Sequence, residues 1–410
     1  MTVLVTCGHT RAGLAAVRGL GRAGVAVAVA APQRPALAMW SRYATTTLLL
    51  PDAASEAKRF AAAVADELSG RHADGALAAT DAALWALSRW RSGLSANAQA
   101  FLPPHEAVVL SLDRSALRDR ARTLGVAAVP TWRIDSPKDV EPVVLRLQQQ
   151  VAGADGRLWA LVRPMVPSVE REDGTRRVAT AIPVESVGGM RRLLYDREDL
   201  VDGGCLIELR PPGDYLGYGA VCRDGQVIAE VFQERLRERG DLSGVSTFAR
   251  TIPVDDAIRS AGRAILKGLK FNGPCLVEFT RGDDGAVRLV NVIPRLWGSL
   301  ALAMHAGVNV PWLVTRLARG DDVEPGHISR PGVVWRWVVG DLEVLAQRLG
   351  RLLSRVEGRG VIRRRAAGLR ELLELRDLWR ARPDVFELDD PLPSALELKQ
   401  RLEEIRASQG

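Results

Sequence analysis

The stretch VLVTCGHTRAGLAAVRGLGRAGVAVAVAA, Val3 to Ala31, constrains the fold more than any other. It reads as a strand, a glycine-bearing turn, an amphipathic helix and a second strand. Two strands joined through a helix lie parallel, and this βαβ unit builds a sheet covered by helices. The turn from Gly8 to Gly13 is spaced G-x-x-x-x-G, not G-x-G-x-x-G. Leu14 and Ala15 follow it, so it also lacks the Lys-Ser/Thr of a phosphate-gripping loop. The glycines are therefore expected to serve packing and not dinucleotide binding. Helix-like EAKRFAAAVADELSGR and the strand GALAAT continue the alternation to about Pro104.

A chain of 410 residues exceeds one ordinary core, so two or three domains are expected. The net charge of +7 is spread among acidic residues. The richest basic clusters, RGVIRRRAAGLR and QERLRERGD, are not long single-sign blocks with interleaved aromatics, so solvated helix faces are expected and not nucleic-acid contact. Lysine is scarce, at positions 58, 138, 267, 270 and 399. The four cysteines are far apart with no CxxC, and the five histidines show no HExxH. A reduced, cytoplasmic setting fits, without disulfide framework or zinc. The N-terminus carries no signal-peptide pattern, and no apolar run approaches the ~20 residues of a membrane helix.

Further along, LDRSALRDRARTLG (112–125) reads as a helix ended by glycine. Strands then dominate: LWALVRP, RRVATAIPV, CLIELRP, and a hairpin in VCRDGQVIAEV about Asp224-Gly225. A helix, DDAIRSAGRAILKGL, leads into VEFTRGDDGAVRLVNVIPRLWGS, which reads as a hairpin about Asp284-Gly285. A two-residue turn there would pair Asp283 with Ala286, Arg281 with Arg288 and Glu278 with Asn291. Alternation would place Glu278, Thr280, Asn291, Ile293 and Arg295 on one face. Val277, Phe279, Val290 and Val292 would form the opposite, apolar face. The polar face, held on rigid strands, reads as the floor of a site. Beyond Gly332, amphipathic helices are expected.

Taken in order, these segments resemble the ATP-grasp superfamily, most closely the bacterial carboxylate–amine ligases related to the carbamoyl phosphate synthase large chain. The resemblance covers roughly residues 1 to 325. The N-terminal unit, with Ser41-Arg42 after its second strand, is similar to the Rossmann-like pre-ATP-grasp domain. LDRSALRDRARTLGVAAVPTW, LWALVRP, LIELRPPGD, FQERLRERGDLSGVS, the pair VEF and NVIPRLWGS, and LAMHAGVNVPWL follow in the family's sequence. The resemblance implies an α/β and α+β chain: a pre-ATP-grasp domain (1–110), an ATP-grasp domain (111–325) and a C-terminal helical extension (326–410).

It also implies a reaction. ATP phosphorylates a carboxylate, and an amine or similar nucleophile attacks the acylphosphate. Such chemistry needs positioning and charge neutralisation by Mg²⁺ and basic side chains. The resemblance assigns Arg114, Arg163 and Arg235 to the phosphates. Glu208 and Leu209 fall to the adenine hinge, Glu278 and Asn291 to the metal, and Arg295 to the phosphate or the carboxylate intermediate. The partners it implies are small molecules, and a homodimer is admissible.

The chain departs from the family at these positions. Two family lysines are Arg114 and Arg163, which keep the charge in a bulkier, forked form. Asn291 stands where a metal-bridging Glu is usual, and Ile293 where Asn is usual. Pro211 stands where a backbone N–H usually meets adenine, and proline has none. Loss of a carboxylate beside divalent ions weakens metal binding. A catalytically degenerate relative that binds a nucleotide or metabolite, or serves as a partner subunit, is therefore the alternative expectation. The Arg237 side chain is a further phosphate candidate, His305 a packed or rim residue, Trp297 core, and Asp389-Asp390 an anchor for the last helix.

Overall fold

The computed structural model describes residues 1–70, 73–151, 159–164, 168–170, 176–178, 181–209, 213–239, 244–354 and 380–407. The basic stretch RGVIRRRAAGLR and Pro211 lie outside them. The N-terminal unit comprises β1 (Thr2–Val5), α1 (Arg11–Arg22), β2 (Ala26–Ala31), β3 (Thr46–Leu49), α2 (Ala57–Ser69), β4 (Gly75–Leu77) and α3 (Asp81–Arg89). Its sheet is parallel, in the order β3-β2-β1-β4. Thr10 starts α1 by accepting a hydrogen bond from the Gly13 N–H at 3.0 Å. A Cβ on Gly13 would stand 2.8 Å from the Cys7 carbonyl oxygen, and one on Gly8 2.6 Å from the Val29 side chain. These glycines serve close packing, as the sequence spacing indicates.

Short α4 (Ala96–Gln99) and then α5 (His105–Leu112) lead into α6 (Arg114–Thr123). The Asp113 carboxylate caps α6, accepting from the Ser115 and Ala116 N–H groups at 2.9 and 3.0 Å. A small lobe follows: β5 (Thr131–Ile134), α7 (Val140–Val151), β6 (Ala160–Pro164), β7 (Ser168–Glu170), β8 (Arg176–Val178), β9 (Ile182–Val184), α8 (Val187–Asp196), α9 (Glu198–Asp202) and β10 (Cys205–Leu209). Its antiparallel sheet, β5-β10-β6-β9, buries Ile134, Val162 and Ile207 against Val144, Leu147 and Met190.

The large sheet is built from β11 (Asp214–Arg223), β12 (Gln226–Arg239) and β13 (Val245–Thr251), then α10 (Asp256–Gly268), β14 (Gly273–Arg281) and β15 (Val287–Ile293). After α11 (Leu300–His305) and α12 (Val310–Ala318), the tail adds β16 (His327–Ile328), β17 (Val334–Arg336), α13 (Val338–Ser354), β18 (Arg382–Pro383) and α14 (Leu392–Ala407). The order is β15-β14-β11-β12-β13-β17-β18, with β16 beside β12. One face carries α10 over Tyr218, Phe232 and Phe279. The other buries Trp297, Leu276 and Val231 in a core continuous with the N-terminal unit.

The tail straps back onto that unit. Arg18 Nε donates to Asp390 at 2.8 Å, and Ser41 Oγ donates to the same carboxylate at 2.7 Å. Asp389 accepts from Tyr43 Oη at 2.8 Å. The Asp389-Asp390 pair thus fixes the segment before α14, and Trp297 is core. His305 is half-buried, its Nε2 3.3 Å from the Pro383 carbonyl oxygen.

Of the two Asp-Gly hairpins, the first matches expectation. Arg223 pairs with Gln226, and Asp224 and Gly225 both take positive φ, 49° and 77°, as a two-residue turn requires. The second does not. Arg281 pairs with Val287 and Thr280 with Arg288, so the expected Arg281–Arg288 pair is absent. The connection is one residue longer, with the Gly282 N–H donating to the Ala286 carbonyl and Gly285 left-handed at φ 72°. A bulge at Val290 then restores the register, and Glu278 faces Asn291 as expected. Between the two irregularities the faces exchange: Leu289, not Val290, is in the core. The edge of Leu289 is satisfied by the linker after α6, through Val129 N–H to Leu289 O (3.0 Å) and Leu289 N–H to Ala127 O (2.7 Å).

Candidate active site

Glu208, near the end of β10, is 1% exposed and is met by three guanidinium groups. Arg114 Nη1 lies 3.3 Å from its Oε2, and Arg118 Nη2 donates to the same oxygen. Arg163 Nε is 3.8 Å from Oε1. Arg114 opens α6 and Arg118 follows one turn later on the same face. Arg163, on β6, pairs with Leu206 of β10 and is the diagonal neighbour of Glu208. Sequence reading missed Arg118; its spacing of four from Arg114 was the available signal. The bulge at Val290 aims its carbonyl at this cluster, accepting from Arg114 and Arg118 at 3.4 Å each.

Three guanidiniums thus gather on one carboxylate. Arg118 is buried, and burial pulls its pKa down from the usual arginine value while Glu208 opposes that pull. Arg114 and Arg163 are each about one-quarter open to solvent. The cluster therefore has an accessible side. The Leu209 N–H, a candidate for the adenine, donates instead to the Pro130 carbonyl at 3.0 Å. A hollow of about 480 Å³ runs along α6 beside the cluster, lined by Arg118, Arg122, Thr131, Arg133 and Leu206 among others.

Glu278 lies across the bulge from that cluster. Asn291 Nδ2 donates to its Oε2 at 3.2 Å, and Arg235 Nη2 donates to its Oε1. Arg235 is held on its other nitrogens too: Nε donates to Ser246 Oγ at 2.9 Å and Nη1 faces Glu238 at 3.4 Å. The Tyr215 ring lies 5.7 Å from the guanidinium. Ile293 pairs with Leu276 and packs against the core. Among the described residues, no group of three or more His, Cys, Asp or Glu side chains could hold a metal.

Arg295 and Arg237 go elsewhere. Arg295 Nε donates to Asp81 Oδ1 at 2.6 Å, tying the end of β15 to the first residue of α3. Arg237 is buried against Asp341, with both Asp341 oxygens 2.6 Å from its Nη1. The structure thus brings Arg114, Arg163 and Glu208 together, and Arg235, Glu278 and Asn291 together. Arg295 borders the N-terminal unit. There a cleft of about 150 Å³ opens at the carboxyl ends of β1, β2 and β4, with Cys7, His9, Asp52 and Thr80 on its wall. The strand order reverses between β1 and β4, where open parallel sheets take ligands. Burial pushes the Cys7 thiol pKa up and the His9 pKa down, so both groups are held neutral.

Comparison with known proteins bears on the fold. A family model described as "ATP-grasp in the biosynthetic pathway with Ter operon" matches residues 219–338. No curated protein matches the sequence. Among solved structures, the chain is similar to the L-amino acid ligase of Bacillus licheniformis, with a TM-score of 0.56 at 14% identity, over 80% of this chain and 75% of that one. It is also similar to the ADP complex of N5-carboxyaminoimidazole synthetase from Staphylococcus aureus (0.59, 12%, 81% and 80%). A third is the biotin carboxylase domain dimer of Hydrogenobacter thermophilus 2-oxoglutarate carboxylase, in complex with MgADP, ADP and bicarbonate (0.59, 14%, 81% and 73%).

Proposed function

From the premise that this chain has the ATP-grasp fold, we propose that it is an ATP-dependent ligase. It joins a small-molecule carboxylate to an amine or similar nucleophile through an acylphosphate. The observation that carries this reading is the arginine cluster. Three guanidiniums gathered on one carboxylate, two of them partly open to solvent beside a hinge strand, suit a polyphosphate and not a neutral metabolite. In this reading residues 1–110, 111–325 and 326–410 divide the work: one border of the cleft, the nucleotide site, and the strap that closes behind it.

Arg114 and Arg163 grip and orient the phosphates, and Glu208 keeps their forks aligned until a nucleotide arrives. Arg295, at the border with the switch-point cleft, holds the carboxylate to be activated, releasing Asp81 as it does so. Phosphoryl transfer is mainly positioning and electrostatics, so these fixed groups supply much of what the reaction needs. Magnesium fits in a limited way. Glu278 and the Asn291 amide oxygen would hold one ion, since Mg²⁺ commonly takes only one or two carboxylates and fills its shell with phosphates and water. Bound there, it would neutralise phosphate charge.

A second reading has its own observation. Both Glu278 oxygens already have donors, from Arg235 and Asn291. That favours a relative that binds nucleotide without turning it over. Calorimetry of ATP with and without Mg²⁺, on wild type and on Arg114→Ala and Glu278→Ala, tests the nucleotide site. The expected result is binding that Arg114→Ala weakens by about tenfold, the weight of one charge-assisted contact. No binding to wild type under either condition overturns the proposal. Hydroxylamine trapping with ATP and pooled carboxylic acids then separates the readings. Hydroxamate formation supports the ligase, and its absence in a chain that binds ATP supports the second reading.

A further inference from the structure

We propose that Arg235 is the resident cation of Glu278. Its guanidinium takes the carboxylate oxygen that a divalent ion would otherwise occupy, so the described residues alone offer no divalent-metal site here. A single ion is admitted only together with a ligand that brings further oxygens. The inference refines the nucleotide-site reading, but its test uses metal alone and stands apart from that reading.

The placement of Arg235 is fixed from three sides. Nη2 reaches Glu278, Nε reaches Ser246, and Nη1 faces Glu238. The strand pairing leaves little slack: Arg235 pairs with Tyr215 on β11, and Tyr215 pairs with Thr280 on β14. The Arg235 and Glu278 side chains are 14% and 15% exposed, so water and salt screen the pair only in part. The remaining Glu278 oxygen accepts from Asn291. The nearby carboxylate of Glu238 faces the same guanidinium and does not add a free oxygen to the site.

A guanidinium is always charged and presents a rigid fork. Mg²⁺ sheds its water reluctantly and seeks several oxygen ligands. One carboxylate, already neutralised and hydrogen-bonded on both oxygens, cannot draw such an ion from solution. The Asn291 amide can turn to present its oxygen beside Glu278 Oε2. That makes two donors, enough only for an ion that arrives with other ligands.

The experiment is a Mn²⁺ titration followed by electron paramagnetic resonance, without nucleotide. It uses the full chain as wild type, Glu278→Gln, Arg235→Met and the double variant. Wild type and Glu278→Gln should retain the same weak, nonspecific Mn²⁺ uptake. Arg235→Met should bind Mn²⁺ at least about tenfold more tightly, on the scale of a changed metal environment, and the double variant should lose that gain. Mn²⁺ bound by wild type at a site that Glu278→Gln removes overturns the proposal, as does an Arg235→Met variant that folds and shows no gain. If Arg235→Met does not fold, the wild-type and Glu278→Gln pair decides alone: equal uptake supports the proposal and unequal uptake overturns it. Arg235→Lys, which keeps the charge without the fork, should stay as weak as wild type.

Discussion

Glu208 and Glu278 sit on either side of one bulge, and their surroundings differ in a way that divides the site. Val290 turns its carbonyl to the arginines around Glu208, and the next residue, Asn291, turns its amide to Glu278. Glu208 is enclosed and outnumbered by three guanidiniums. Glu278 is partly solvated and faces one guanidinium, which Glu238 also faces. Guanidiniums gathered about one enclosed carboxylate can regroup around an anion, whereas Glu278 has donors on both oxygens and can only exchange partners. On the proposed reading, the Glu208 side suits an anionic ligand, and the Glu278 side resists a bare cation.

The largest expected effect comes from breaking the enclosed side. Glu208→Gln leaves Arg118 buried with no opposing charge, and removal of one partner of a buried ion pair costs about 3 kcal/mol. Urea denaturation should show that loss as a lower midpoint at unchanged slope. Adding Arg118→Met to the same chain should recover part of it, since removing both partners also removes the stranded charge. A loss below about 1 kcal/mol would place Glu208 with solvated pairs and break the contrast.

Glu397 on α14 sharpens the comparison, because its hydrogen-bond donor is an indole and not an arginine. Trp337 Nε1 donates to it at 2.7 Å. Burial, with Asp384 adding to it, pushes its pKa from 4.5 up to about 7, against the pull of Trp337 and Arg11. The folded chain thus holds this proton more tightly than the unfolded chain. The associated stability is fully present below pH 4.5 and is lost as pH rises through 7. With allowance for partial solvation, stability should fall by about 1–2 kcal/mol between pH 5 and pH 8. Glu397→Gln should flatten that slope in denaturation measured across the range. An unchanged slope would mean that Arg11 serves Glu397 as the arginines serve Glu208.

Much of the fold was legible because period and order are local. The βαβ opening, the Asp224-Gly225 turn and the Glu278–Asn291 pairing all follow from short-range rules. The second hairpin shows where such rules stop. Its longer connection and its bulge cancel in register, so the pairing at the site agrees with a simpler turn that is not there. Which residue the bulge would expose was set by the linker that bonds Leu289, 160 or so positions away in chain order. The site was legible as a set of residues but not as a set of partners. Arg235 and Glu278 lie on strands separated by β11, and nothing in either segment indicates that one closes the other. Arg118 was hidden for the same reason, since an arginine on a helix is ordinarily solvated.

The smallest expected effect is the most discriminating. Glu278→Gln removes the charge that balances Arg235, yet the Gln carbonyl oxygen can still accept from it, while Glu238 stays near Nη1. With those contacts kept, the urea midpoint should shift by less than about 1 kcal/mol of stability. That outcome would locate the role of Glu278 in ligand exchange and not in holding the sheet together. A loss as large as that of Glu208→Gln would mean that the pair is enclosed in solution. Arg235 would then be a structural clamp on β12 and β14, and the two carboxylates would no longer differ in kind.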